Sequence, residues 1–143
     1  MPEKSALFSR NTDLTGLWSG EYWYIGLAMA PVPFSAHIVD VAGTVTGTTL
    51  EPNTFAHAGL IELSADISGS RGELTVQWIK LYHPAPGVHR DAIFYSGTID
   101  PKFTMIDGDW RIQGMIGRFI LTRLSHGAKA VAQARELELE LKR

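Results

Sequence analysis

The strongest constraint in this chain is an alternation of apolar and polar residues that keeps returning between turn signals. In residues 60–67, Ile61, Leu63, Ala65 and Ile67 are apolar, while Glu62, Ser64 and Asp66 between them are polar. A period of two puts successive side chains on opposite faces of a strand, so one face is buried and the other wet. The same pattern aligns Leu74, Val76, Trp78, Lys80 and Tyr82 in residues 73–82, and Ile93, Tyr95, Gly97 and Ile99 in residues 92–99. In residues 17–25 it aligns Trp18, Gly20, Tyr22 and Tyr24.

Turn chemistry separates these runs. Pro31 and Pro33 interrupt residues 30–33, where a missing N–H breaks a ladder, and Glu51, Pro52 and Asn53 end a threonine-rich run over residues 41–50. Residues 68–72 read as a polar hairpin loop, residues 83–87 as a loop with Pro84 and Pro86, and residues 100–102 as a turn. Asp107-Gly108 is a hairpin signal, but a break there leaves the run before it very short. Residues 103–113 are therefore expected to form one strand, whose internal glycine marks a bulge or a large neighbour. Residues 114–117 form the last turn and residues 118–124 the last strand. The expected fold is all-β: about eight short, sequentially connected antiparallel strands. Closing them into an up-and-down barrel removes the exposed edges.

The ends differ in character. Residues 1–13 are a polar lead-in and residues 14–124 the barrel domain. Residues 125–143 are rich in Ala, Glu, Leu, Lys and Arg, with Ala130, Ala134, Leu137 and Leu141 on one helical face. The alternation over residues 136–141 competes with that reading, but glutamate is depleted in strands, so a C-terminal α-helix capped by Ser125 is expected. Such a helix offers a surface through which the chain could form a homo-oligomer.

Composition excludes several functions. A chain of 143 residues buries one core without staples. There is no cysteine, so disulfides and thiolate chemistry are ruled out. A net charge of −2 argues against nucleic acid, which demands a clustered basic surface. The most apolar stretch, residues 25–34, is short and contains Pro31 and Pro33, which does not suit a membrane span. With no apolar leader at the start, a cytoplasmic domain is expected.

Leu14-Thr15-Gly16-Leu17-Trp18 resembles the first strand of calycin barrels, the superfamily of lipocalins, avidins and fatty-acid-binding proteins, and residues 117–123 resemble the matching last strand. The resemblance implies that Arg123 packs across Trp18 and closes one end of the barrel, a cation–π pair. Residues 44–49 look like the Gly-Thr strand of avidins, but no set of biotin contacts carries over. A lipocalin-type disulfide and leader are missing, and the C-terminal helix departs from the plan.

Tyr22, Tyr24, Trp78, Lys80, Tyr82, Tyr95 and Trp110 are the candidate ligand-binding residues. An eight-stranded barrel is just wide enough either to be filled by such side chains or to hold one small ligand. Lys80 shares the face of Trp78 and Tyr82; inward, it is a buried ammonium in need of a partner, and Glu21 falls on the wrong face to serve. Because lysine is so rarely buried, a solvated place at the rim is the expectation. His83, His89 and Asp91 crowd one loop without matching a metal-site spacing, and His37 and His57 stand alone. Asp107, Asp109 and Arg111 read as a wet face with cross-strand pairing. The expected function is binding of a small, partly apolar or aromatic ligand inside the barrel, with no cofactor, metal or catalysis. The alternative is an interaction module with a filled barrel. An enzyme would require a cavity that joins Lys80, a tyrosine or a histidine to a carboxylate.

Overall fold

The computed structural model describes residues 12–56 and 59–126. Eight strands form a closed antiparallel barrel: β1 (Gly16–Tyr24), β2 (Val32–Val41), β3 (Thr44–Pro52), β4 (Glu62–Arg71), β5 (Thr75–Tyr82), β6 (Ile93–Ile99), β7 (Met105–Ile112) and β8 (Met115–His126). Each strand pairs with the next in sequence, and β8 returns to β1 with Trp18 opposite Arg123 and Tyr22 opposite Phe119. Because the strands run alternately up and down, the loops after β1, β3, β5 and β7 gather at one end, the mouth. The loops after β2, β4 and β6 gather at the other.

The alternation positions the core as expected. Val76, Trp78, Lys80 and Tyr82 of β5 are buried, as are Ile93, Tyr95, Gly97 and Ile99 of β6. Residues 103–113 do contain a single strand rather than a hairpin at Asp107-Gly108. Gly108 lies opposite Gly97, and a Cβ there would meet the Ser96 carbonyl oxygen at 2.0 Å. The glycine marks two backbones pressed together, which β-propensity alone would not permit.

Several boundaries differ from the expectation. Pro33 belongs to β2; the ladder to β3 begins only at Ser35 opposite Leu50, so the proline sits beyond it and interrupts nothing. Ile61 precedes β4 and is 85% exposed, and Leu74 lies in the turn before β5 rather than on its inner face. β4 runs through Arg71, so residues 68–71 are strand and not loop, because the serines there sit on the wet face and Gly69 pairs with Trp78. Met115 to Gly117 likewise belong to β8 rather than to a turn. β8 continues to His126, with Ser125 opposite Leu17 in the ladder to β1. The lead-in up to residue 11 and the expected helix beyond residue 126 lie outside the described residues.

The end opposite the mouth is plugged. The Arg123 guanidinium lies 5.1 Å from the Trp18 ring centre, and the Trp18 Nε1 donates to the Leu14 carbonyl at 3.0 Å. Arg123 also donates to the carbonyls of Asp13 and Phe103, both at 2.9 Å, and to that of Thr15. Phe103 takes a left-handed φ of 57°, and Arg71, paired with buried Asp40, sits over its ring at 5.7 Å. One guanidinium thus ties the segment before β1 to the turn before β7. Arg123→Ala, which leaves three carbonyls without their donor, is expected to lower the unfolding free energy in urea by about 2–3 kcal/mol. A loss under 0.5 kcal/mol would show that the plug is decorative.

Candidate functional site

The interior charge expected at the rim is in the core. Lys80 is 1% exposed and Glu51, on β3, 2% exposed. The Lys80 Nζ donates to Glu51 Oε1 at 2.7 Å. Tyr22 Oη donates to Glu51 Oε2 at 2.7 Å, and Tyr82 Oη lies within 3.1 Å of both carboxylate oxygens. The ammonium also stands over aromatic faces, 4.7 Å from the Tyr82 ring centre, 5.1 Å from Tyr22 and 5.5 Å from Phe34. A buried charge is tolerable only when it is paired and its remaining hydrogen-bonding positions are filled. Here one carboxylate takes an ammonium and two phenols, while the rings cover the ammonium.

Lys80 is buried rather than at the rim because its partner, Glu51, is inside the barrel as well. Glu51 looked like the polar end of a strand before Pro52. In the barrel β3 continues through Pro52, with Glu51 opposite Leu63 and in phase with the buried Val45 and Thr49. Counting by two from Val45 would have placed Glu51 inside. Glu21 is exposed on β1, as its phase requires.

Above the ion pair, at the mouth, a cavity of about 190 Å³ is lined by Tyr22, Tyr24, Tyr82, Tyr95 and Trp110, together with Phe55, His89, Ile93, Ile112 and Met115. Five of the seven candidate ligand residues therefore meet at one cavity. Trp78 does not line it; its ring stacks on Tyr95 at 5.7 Å and tilts against Phe119 at 5.8 Å, filling the barrel. Lys80 does not line it either. Tyr22 and Tyr82 touch both the cavity and the carboxylate, so their rings stand between the two.

Local packing fixes the walls. Trp110 meets Tyr24 edge to face at 5.0 Å and Tyr22 at 5.9 Å. Its ring lies over Gly117, where a Cβ would come within 2.2 Å of Trp110 Cε2. The glycine of β8 is what lets the indole lie flat on the wall. Across the mouth, His89 stacks on Phe55 at 5.7 Å and meets Tyr82 edge-on at 5.3 Å. The rim is apolar and exposed at Ile25, Leu27, Met29, Phe55, Met115 and Ile116. Phe55 reaches the cavity through a loop path that has no period, whereas Ile112 and Met115 lie in phase with Trp110 and Phe119 at the ends of β7 and β8.

The loop histidines separate. His83 lies on the outside, with its ring nitrogens 2.7 Å from Ser64 Oγ and 2.9 Å from Asp66 Oδ1, while His89 turns to the mouth and Asp91 is exposed. No group of three metal-binding side chains forms among the described residues. His37 lies on the opposite face of β2 from buried Ala36 and Ile38, and His57 is outside the described residues. Asp107, Asp109 and Arg111 are on the wet face of β7, where Asp107 accepts from Thr98 Oγ1 at 2.9 Å and Arg111 covers Phe94.

Chemically, the arrangement joins a lysine, two tyrosines and a carboxylate, the combination an enzyme would require. Its protons are poorly placed for release. Burial pushes the Tyr22 and Tyr82 phenols well above the ordinary tyrosine range, with the Glu51 charge adding to it, and Tyr95 and Tyr24 move the same way for the same reasons. Burial pulls Lys80 down, and Glu51 opposes the pull. Phenols so raised are weak acids at neutral pH. The site holds its protons and presents ring faces.

Removing one charge should be far worse than removing both. Glu51→Gln, which strands the ammonium, is expected to destabilise by about 3–5 kcal/mol, and Glu51→Gln with Lys80→Met by much less, since the amide oxygen still accepts from the tyrosines. Additive losses in urea unfolding would overturn the coupling. Tyr22, Tyr82 and Tyr95 are buried and raised, so the folded protein is expected to show far less tyrosinate absorbance at pH 10 than the unfolded chain. The unfolded chain loses phenolic protons near pH 10 while the fold retains them, so stability is full below that pH and falls above it. The slope is about 1.4 kcal/mol per pH unit for each of the three fully buried phenols. Native tyrosine absorbance equal to that of the unfolded chain at pH 10 would contradict the burial.

No protein-family model matches the chain, and no curated protein matches it, so the eight-stranded antiparallel closed barrel is as far as its classification goes.

Proposed function

We propose that this calycin-like barrel binds a small, partly apolar molecule in the cavity at its mouth, without catalysis at that site. The observation that carries the reading is the aromatic cavity of about 190 Å³, open at the mouth above the buried side chains of Lys80, Phe34, Trp78 and Phe119. Small-molecule sites are concave and mostly apolar, with a few polar groups that orient the ligand. The apolar rim supports it as well, since exposed apolar groups clustered around an opening mark interaction sites.

Size narrows the ligand. An engineered apolar cavity of about 150 Å³ holds one benzene. The cavity here therefore suits a single ring or its equivalent in volume, not a long acyl chain, whose path down the barrel is occupied by Lys80, Phe34, Trp78 and Phe119. The reading without catalysis is supported by the Tyr22 and Tyr82 rings, which stand between Lys80 and the cavity.

Isothermal titration with toluene, indole and hexadecanoate tests this. The ring compounds are expected to bind with Kd between about 1 μM and 1 mM, and the fatty acid not to enter. Ile112→Trp, which fills the mouth, should abolish ring binding without loss of fold. Absence of binding by every ring compound would leave the barrel as an interaction module.

A further inference from the structure

The wall of the cavity is largely aromatic. Tyr22, Tyr24, Phe55, Tyr82, Tyr95 and Trp110 line it, and no Lys, Arg, Asp or Glu does. The rings stand across one another rather than in a stack. Tyr22 meets Tyr24 at 64° and Trp110 at 85°, Trp110 meets Tyr24 at 89°, and Phe55 meets Tyr82 at 68°. Rings set at such angles wall a space on several sides. The face of each ring is negative, so a space they enclose favours positive charge.

The barrel already holds one cation in this way. The Lys80 ammonium lies 5.1 Å from the Tyr22 ring centre, 4.7 Å from that of Tyr82 and 5.8 Å from that of Tyr95. Lys80 does not line the cavity, so these three tyrosines offer it the side turned away from the ammonium. Glu51, 2.7 Å from Lys80, neutralises that charge and with it most of the repulsion on a second cation above. The carboxylate also polarises the wall. Tyr22 and Tyr82 donate to it, which makes their phenols more negative. Its charge is felt at Tyr24 and Tyr95 too, where it helps to hold the hydroxyl protons on.

Hydration narrows the class of cation. A primary ammonium brings three N–H donors that need acceptors, and no carboxylate lines the cavity. A quaternary ammonium has no N–H, and its methyl groups pack against apolar and aromatic walls. An anion meets the negative faces of the same rings and finds no Lys or Arg on the wall.

Resting on the reading of the cavity as a ligand site, we infer that the molecule it takes carries a quaternary ammonium group, seated among the rings of Tyr22, Tyr24, Tyr82, Tyr95 and Trp110. The remainder of that molecule leaves through the open mouth.

Choline and neohexyl alcohol share one skeleton, with nitrogen in the first where the second has carbon. Titration calorimetry of the pair on the full chain, beside ethanolamine, toluene and indole, tests the inference. Choline is expected to bind at least about tenfold tighter than neohexyl alcohol and than ethanolamine. Tyr24 is only half-buried, at the end of β1. Tyr24→Leu should weaken choline about threefold or more and leave neohexyl alcohol about unchanged. Should that variant fail to fold, the methyl proton resonance of choline on the wild-type protein decides, since protons held over ring faces shift upfield. Equal binding of the pair, failure of choline where toluene or indole binds, or methyl protons that do not shift upfield overturns the cation while leaving the cavity as a ligand site. Ethanolamine binding as tightly as choline overturns the quaternary class. Failure of all five compounds overturns the ligand site itself.

Discussion

The interior of the barrel is organised by one buried ion pair, Lys80 with Glu51. Neither charge could be inside alone, because an isolated ammonium or carboxylate loses hydration that no dipole of an apolar core replaces. Each therefore requires the other, and together they require Tyr22 and Tyr82 to fill the remaining lone pairs of the carboxylate. Those contacts tie β3 to β5 and β1 across the barrel, linking strands that share no ladder. They also fix the height at which the barrel changes from filled to hollow. Below the pair, Trp78, Phe119, Ile38 and Leu121 close the space; above it the cavity begins.

The two ends answer to different demands. At the plugged end, Arg123 turns its two terminal nitrogens to backbone carbonyls and its face to Trp18, so the end is occupied. At the mouth, the loops after β1 and β3 and the first residues of β8 carry exposed apolar side chains, and the cavity is left open. A barrel whose one end is locked by a multiply bonded guanidinium can leave the other end underpacked, because closure no longer depends on the core there. The hollow end is where loops can vary in sequence without disturbing the ladders.

Much of this was legible in the sequence, because a period of two has only two phases. Trp18, Tyr22, Tyr24, Trp78, Tyr82, Tyr95 and Trp110 fall on the inner face once their strands are recognised, and the Trp18–Arg123 pairing is what the resemblance of the first and last strands to calycin barrels implies. Lys80 fell on that face too, yet composition argued it outward, since lysine is seldom buried. The missing information was Glu51. Its own strand was cut short at Pro52, a residue that usually ends a ladder, and a charge beside a proline reads as a turn. Two local rules thus hid one long-range contact, and only the closed barrel brings residues 51 and 80 together. Residues such as Phe55 and His89 reach the cavity through loop paths, for which the sequence holds no period at all.

Tyrosine is the residue that makes a dry cavity compatible with charges directly beneath it. Its hydroxyl serves the carboxylate while its ring faces the opposite way, so the same side chain is polar toward Glu51 and apolar toward the cavity. Phenylalanine at position 22 or 82 would preserve the cavity wall but leave carboxylate lone pairs unfilled. A longer polar residue would satisfy the carboxylate but wet the wall. Because the hydroxyl proton is directed at Glu51 and held there, the ring also shields Lys80 from anything above it. The ion pair's hydrogen-bonding capacity is therefore already used, and what it presents upward to the cavity is ring surface.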